Sequence, residues 1–136
     1  MNIIQTAKSN LNDISSFIPK AQKKVINSLF SSEERMFFIK KVEELKKIIE
    51  GMPKTYETRG QGENAIVYLH YFFNGGDFFI TEKDVYFSQN QAFGLACCGY
   101  PELGYISIQE IINLEYAQLD LHWNPCSIRK VREDFL

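Results

Sequence analysis

The stretch that decides the fold reads AIVYLHYFF at residues 65–73, NGG at 74–76 and DFFITEKD at 77–84. Its runs are short, rich in aromatic and β-branched residues, and separated by Asn and Gly, which is typical of β-strands joined by tight turns. The NGG segment offers residues that accept a positive φ, so it predicts a β-hairpin. Similar short runs follow at 92–95, 101–108 and 119–123. Residues 65–123 therefore predict a mainly antiparallel sheet.

A different period precedes this stretch. Apolar residues before position 53 recur every three or four residues, which is the spacing of amphipathic helices. The change of period predicts an α+β fold, with N-terminal helices at 1–52 and an α+β domain at 53–136 that also holds a short helix after Ser107 and a C-terminal helix after Ser127. The helical stripes are Ile3, Ala7, Leu11, Ile14 and Ile18, then Ala21, Val25 and Leu29, then Phe38, Val42, Leu45, Ile49 and Met52.

The composition is that of an ordinary globular protein, with 136 residues, 45% of them hydrophobic and 24% charged. No apolar run reaches the length of a membrane span, and the N-terminus lacks a charged start followed by an apolar segment, so we expect neither a membrane partner nor a secretory signal. Three cysteines, two of them adjacent, make a poor disulfide framework, and we expect Cys97 and Cys98 to be buried structural thiols. They favour a reducing compartment, and we expect a cytoplasmic protein.

The net charge of −2 conceals an uneven distribution. Residues 1–54 carry ten Lys or Arg against six Asp or Glu, whereas residues 55–126 carry two against nine. This acidic body argues against direct nucleic-acid binding, because phosphate contacts need Lys and Arg. It permits attraction of a basic protein that itself binds nucleic acid. The same charges also have a plainer use, which is to keep an aromatic-rich sheet soluble.

Acidic residues and histidines gather near the predicted strand ends. Carboxylates with an imidazole can bind a divalent metal or transfer protons, which makes a small metal-dependent hydrolase or nuclease one candidate function. Asp120 and His122 share a face of their predicted strand, but no motif of fixed metal-ligand spacing accompanies them. We therefore predict no metal, no cofactor and no catalytic residue. The residues of this alternative are Glu82, Asp84, Asp120 and His122.

Four motifs follow one another in the second half of the chain: TEKD at 81–84, AFGL at 92–95, ELGYISI at 102–108 and LDLHW at 119–123. In this order they resemble a small domain family of unknown function that is carried by conjugative plasmids, phages and large polyvalent proteins of mobile elements. The segment MPKTYET at 52–58 also resembles its longer members. The match runs from about Met52 to Val131, and the short 97–101 connection departs from the family pattern.

The resemblance implies a mobile-element neighbourhood. Small acidic proteins of such elements resemble anti-CRISPR and antirestriction inhibitors, so the expected partner is a host defence nuclease such as an RNA-guided effector. A non-catalytic accessory domain of DNA transfer is a further alternative, and the N-terminal helices could join two copies of the chain. Acidic side chains with tyrosine anchors would meet Lys and Arg of the partner. The predicted partner-binding residues are Glu82, Asp84, Tyr100, Glu102, Tyr105 and Asp120.

Overall fold

A computed structural model describes residues 2–86 and 88–136 of the chain. Its N-terminal part consists of three helices, as the apolar stripes predicted. The side chain of Asn2 accepts from the backbone N–H of Gln5 and so caps the first helix, and Pro19 directly precedes the second. The helices are α1 (Ile3–Asp13), α2 (Lys20–Leu29) and α3 (Arg35–Gly51).

Two of the helical stripes face the core as predicted, apart from the exposed Ile3 at the start of α1, and the third does not. Ala7 and Leu11 of α1 are buried, as are Val42, Leu45 and Ile49 of α3. On α2, however, Val25 is exposed and Ile26 is buried. The buried face predicted for α2 was therefore wrong by one position along the helix. Ile26 and Phe30, which are four residues apart, share the face that packs in the larger core.

The second half of the chain forms seven strands in the part that the structure describes: β1 (Ile66–Val67), β2 (Leu69–Phe73), β3 (Gly76–Glu82), β4 (Ala92–Cys97), β5 (Pro101–Ile106), β6 (Gln118–Leu119) and β7 (Cys126–Ser127). The main sheet is antiparallel and has the strand order β5-β4-β3-β2-β6, which confirms the predicted α+β class. The predicted hairpin is present: Phe73 pairs with Gly76, and Gly75 has a φ of 105°. A separate pair of short strands, β1 and β7, lies beside the main sheet.

The predicted strand at 119–123 is much shorter in the structure. β6 ends at Leu119, and the backbone then turns because the side chain of Asp120 accepts from the N–H of His122 at 2.9 Å. Asp120 and His122 therefore do not share a strand face. Trp123 is half-buried after this turn, where its indole N–H donates to the carbonyl of Val67 at 3.0 Å.

The main sheet separates two hydrophobic cores. The larger core joins one face of the sheet, through residues such as Tyr71 and Ile80, to the N-terminal helices and to α4 (Ile108–Ile112). The smaller core joins the opposite face, through Phe79 and Leu95, to α5 (Ile128–Phe135). Ser107 and Ser127 cap α4 and α5 as the sequence predicted.

The edge strand β6 is covered by a side chain. The amide nitrogen of Gln22 donates to the carbonyl of Leu119 at 2.9 Å, and the Leu119 N–H donates back to the Gln22 amide oxygen at 2.7 Å. The glutamine thus takes the place that a further strand would occupy. In the described part of the chain, no helix is both long and apolar enough to cross a membrane.

Candidate functional site

Three of the six predicted partner-binding residues are exposed at the outer strand β5: Tyr100 in the turn before it, and Glu102 and Tyr105 within it. Tyr100 is 70% exposed and Tyr105 56% exposed, and Glu102 and Leu103 are exposed between them. β5 pairs with β4 along one edge and is the last strand at its end of the main sheet. Leu103 and Tyr105 lie on the sheet face that carries the smaller core, and Glu102 lies on the opposite face. We call the edge formed by Tyr100, Glu102, Leu103 and Tyr105, together with Tyr56 described below, the tyrosine surface.

An open groove of about 400 Å³ lies beside β5, on the sheet face that α5 covers elsewhere. Its walls come from β4, from β5 and from the loop between α3 and β1. The hydroxyl of Tyr105 donates to that of Tyr56 at 2.8 Å, and the ring of Tyr105 meets those of Tyr56 and Phe93 edge to face. Arg59 brings a cation to the rim. The groove thus joins aromatic area to a few polar groups, which is the composition of a recognition site.

Tyr56 is held in an unusual conformation. Its φ of 77° lies in the left-handed region, which residues other than glycine rarely adopt. Its N–H donates to Glu82 Oε1 at 2.8 Å, while the N–H and the hydroxyl of Thr58 both donate to Glu82 Oε2. The carboxylate of Glu82 therefore fixes the loop that presents Tyr56.

This role corrects the prediction that Glu82 meets a partner. Glu82 is 3% exposed, because it is the last residue of β3 and lies under the loop, from which it accepts three hydrogen bonds. Reversing its charge would place an ammonium group against backbone donors in the interior. Glu82 is thus a positioning residue beneath the tyrosine surface.

Asp84 was also predicted to face a partner, and it too is buried, with 5% exposed. Its two carboxylate oxygens accept from the N–H groups of Tyr86 and Gln91, at 3.1 and 2.9 Å. The side chain of Gln89 fills the same turn and donates to the Asp84 carbonyl. Asp84 therefore shapes the connection between β3 and β4.

Asp120, the last of the predicted set, is bound to His70. His70 Nδ1 lies 3.0 Å from Asp120 Oδ2, and its Nε2 lies 2.7 Å from Asp77 Oδ1. The imidazole ring stacks on Phe79 with centroids 4.6 Å apart. His70 is buried, whereas Asp77 and Asp120 are partly exposed. The cluster joins β2, β3 and the turn after β6, and its imidazole contacts the rings of Trp123 and Phe135.

The residues of the hydrolase alternative do not converge. Glu82 and Asp84 each have their own backbone donors, Asp120 pairs with His70, and His122 contacts Phe37 of α3 with ring centroids 5.9 Å apart. Among residues 2–86 and 88–136, no group of three or more His, Cys, Asp or Glu side chains is arranged to hold a metal ion.

The cysteines are free thiols. Cys97 and Cys126 are half-buried, and burial raises the pKa of both, which disfavours the reactive thiolate. Cys98 is exposed on the turn after β4, where a buried structural thiol was predicted. The prediction was wrong for Cys98 because β4 ends at Cys97.

Sequence reasoning did not find Tyr56, Arg59 or Phe93. Tyr56 and Arg59 lie in the segment 54–64, whose sequence has neither helical nor strand periodicity. A usable signal is present in Gly60 and Gly62, because both adopt a positive φ and let the loop fold back on the sheet. The contact with Tyr105, 49 positions further along the chain, left no local pattern.

The chain matches no protein-family model, no curated protein and no solved structure at a significant level. Its resemblance to the mobile-element domain family therefore stays a prediction. The structure itself defines an α+β protein with an exposed tyrosine surface at one edge of its sheet.

Proposed function

We propose that the protein is a non-catalytic inhibitor of a bacterial defence nuclease, encoded by a mobile element, and that it acts by binding the nuclease through the tyrosine surface. The observation that supports the proposal is the exposure of Tyr100, Glu102 and Tyr105 at one edge of the sheet, with Tyr100 in the turn before β5 and with Glu102 and Tyr105 on opposite faces of that outer strand. Tyr is favoured in protein interfaces because it supplies large contact area and a hydrogen-bonding hydroxyl. The choice of a nuclease as partner rests on the resemblance in sequence.

The edge of β5 adds a second means of recognition. An outer strand presents backbone N–H and C=O groups that an extended segment of a partner can pair with, while side chains of the partner enter adjacent pockets. The groove beside Leu103 and Tyr105 is such a pocket. Backbone pairing along β5 and aromatic contacts in the groove would then act together.

The charge available to a partner is smaller than the sequence indicated. Of the nine carboxylates in residues 55–126, Glu82 and Asp84 are buried, and Asp77 and Asp120 pair with His70. The exposed ones include Glu57, Glu102, Glu110 and Glu115. These charges would chiefly raise the rate of encounter with a basic partner, and salt would screen them over about 10 Å at 0.1 M.

The test compares two reactions. In the first, the purified protein is incubated with DNA or RNA and Mg²⁺ or Mn²⁺; in the second, it is added to an active RNA-guided host nuclease. We expect no cleavage in the first reaction and protection of the substrate in the second. Cleavage in the first would favour the hydrolase alternative, and inactivity in both would favour the accessory-domain alternative; either result would overturn the proposal.

A pair of matched variants tests the surface. The double variant Tyr100→Ala with Glu102→Lys removes one anchor and reverses one charge on the tyrosine surface, and both side chains are exposed, so the fold should remain intact. We expect it to weaken inhibition by at least about 30-fold, which corresponds to the loss of roughly 2 kcal/mol at an interface hot spot. The control Tyr116→Ala with Glu115→Lys makes the same chemical change at exposed residues next to β6, and it should inhibit like the parent. Equal inhibition by both variants would place the binding site elsewhere.

A further inference from the structure

Helices α1 and α2 form a second groove, of about 480 Å³, whose lining is basic. Lys8 and Asn12 stand one turn apart on α1, opposite Lys20, Lys24 and Asn27, which follow one another by turns on α2. Leu11, which is fully buried, lies between the two helices. The complete lining is Lys8, Leu11, Asn12, Lys20, Lys23, Lys24 and Asn27.

These lysines differ from three of the four lysines of α3. Lys41, Lys46 and Lys47 on α3 each pair with a carboxylate, at 3.2, 2.9 and 3.5 Å. In the parts of the chain that the structure describes, the four groove lysines form no ion pair, and the groove lining contains no carboxylate. Four like charges around one concave surface repel each other and create a positive potential that attracts an anion.

We propose that this groove binds the sugar-phosphate backbone of a nucleic-acid strand, independently of the base sequence. A strand carries phosphates in a row, and lysines spaced by helical turns on both walls can neutralise several of them at once. The side-chain amides of Asn12 and Asn27 can donate hydrogen bonds to phosphate or sugar oxygens. Because these groups would contact phosphates and sugars and not bases, the groove can take a strand that is either free or within a duplex.

An anionic membrane surface fits this groove less well. A helix that lies on a membrane inserts an apolar face next to its basic residues. The apolar faces of α1 and α2 already lie in the large core, where Ala7, Leu11 and Ile26 are buried. The groove is also concave, whereas a membrane presents a broad surface.

The site is compatible with the charge distribution of the chain. The acidic body at 55–126 disfavours nucleic acid, but the groove lies entirely in residues 8–27, within the basic N-terminal region. The groove shares no residue with the tyrosine surface, and its binding of nucleic acid requires no nuclease. The prediction of no direct nucleic-acid partner would then hold for the body alone.

The test measures fluorescence anisotropy of a short labelled single strand and of the matching duplex, with the purified protein and no partner. We expect binding to both, with little dependence on sequence. The logarithm of the association constant should fall with the logarithm of salt concentration with a slope of roughly −3 for the single strand, as four phosphate contacts require. Absence of binding at about 50 mM salt, or a slope near zero, would overturn the proposal.

The variant for this test replaces Lys8, Lys20, Lys23 and Lys24 with Gln, which keeps helix propensity nearly unchanged. We expect at least a tenfold weaker affinity and a flatter salt slope, while circular dichroism stays that of the parent. The control replaces Lys40, Lys41, Lys47 and Lys130 with Gln, which removes the same charge from outside the groove, and it should bind like the parent. Equal losses in the two variants would show a general charge effect and overturn the groove as the site.

Two further measurements distinguish nucleic-acid binding in this groove from membrane binding and from inhibition of the nuclease. Vesicles rich in phosphatidylserine should not bind, and vesicle binding without nucleic-acid binding would identify a membrane site instead. The groove variant should still inhibit the nuclease. If it loses inhibition while the Tyr100 and Glu102 double variant keeps it, the lysine groove is the inhibitory site and the proposed role of the tyrosine surface fails.

Discussion

Gly94 has the least room for a side chain of all the glycines, because the backbones of β3 and β4 approach each other closely there. A Cβ at Gly94 would lie 1.9 Å from the carbonyl oxygen of Phe79, a backbone atom that cannot rotate aside. The pairing of β3 with β4 shifts register just beyond this point, between Ile80 and Glu82. The glycine of the AFGL motif is therefore explained by a close approach of two backbones.

We expect Gly94→Ala to lower the free energy of unfolding by about 3 kcal/mol or more, because the strands must separate to admit the methyl group. Urea denaturation followed by circular dichroism measures this. Gly104 faces Gly94 across β4 and β5, and a Cβ there meets no atom within 4 Å. Gly104→Ala should thus change stability by less than about 0.5 kcal/mol, and similar effects of the two variants would refute the steric argument.

The hydroxyl pair of Tyr56 and Tyr105 makes a prediction that depends on pH. The hydrogen bond to Tyr56 raises the pKa of Tyr105 above its ordinary value of 10.0. A raised pKa means that the bond is intact below pH 10.0 and is lost as the pH rises through the raised pKa. Tyr56→Phe should therefore lower the pKa of Tyr105 towards 10.0.

NMR of isotope-labelled tyrosine rings measures this titration residue by residue. Tyr100→Phe serves as the control, because Tyr100 is exposed and lies outside the hydroxyl pair, and it should leave the Tyr105 titration unchanged. A Tyr105 pKa that is the same in the parent and in Tyr56→Phe would show that the two hydroxyls do not bond in solution.

The loop between α3 and β1 is held in place by contacts from outside itself. The N–H of Thr55 donates to the carbonyl of Lys83 at 2.8 Å, and the carboxylate of Glu82 binds the next turn of the loop. The ammonium group of Lys83 also donates to the carbonyl of Ile49 at 2.7 Å, at the end of α3. The end of β3 thus holds the loop on one side and the helix on the other.

We expect Glu82→Gln to destabilise the protein by about 2 kcal/mol, because an amide cannot accept at both of its polar atoms and leaves a buried donor without a partner. The same change should increase proteolytic cleavage in the loop, since the loop loses the contacts that order it. Glu102→Gln is the matched control at an exposed carboxylate, with an expected change below about 0.5 kcal/mol. A stable Glu82→Gln variant with a protected loop would contradict this assignment.

The same elements show how far sequence reasoning reaches. Helices α1 and α3 and the hairpin after Phe73 were predictable, because their signals lie within a few neighbouring residues. The position of Glu82 was not, since its donors Tyr56 and Thr58 lie 26 and 24 positions earlier in the chain. A carboxylate at a strand end is usually exposed, and only the folded loop turns this one into a buried acceptor.

At the scale of the whole molecule, the main sheet is unequally covered. The N-terminal helices and α4 cover one face, whereas α5 covers only part of the other and leaves the groove beside β5 open. The sequence contains the apolar residues of both cores, but it does not show that an eight-residue helix, Ile128–Phe135, is too short to cover its face completely. The candidate site arises from this difference in coverage.

The pairing of Gln22 with Leu119 has a consequence for assembly. One edge of the main sheet is closed by that amide and the other, at β5, is open. If two copies join edge to edge through β5, their open edges are both used. The remaining edges, at β6, are covered by Gln22, so no third copy can extend the sheet towards a fibril. Gln22 thus limits edge-to-edge assembly of the main sheet to two copies.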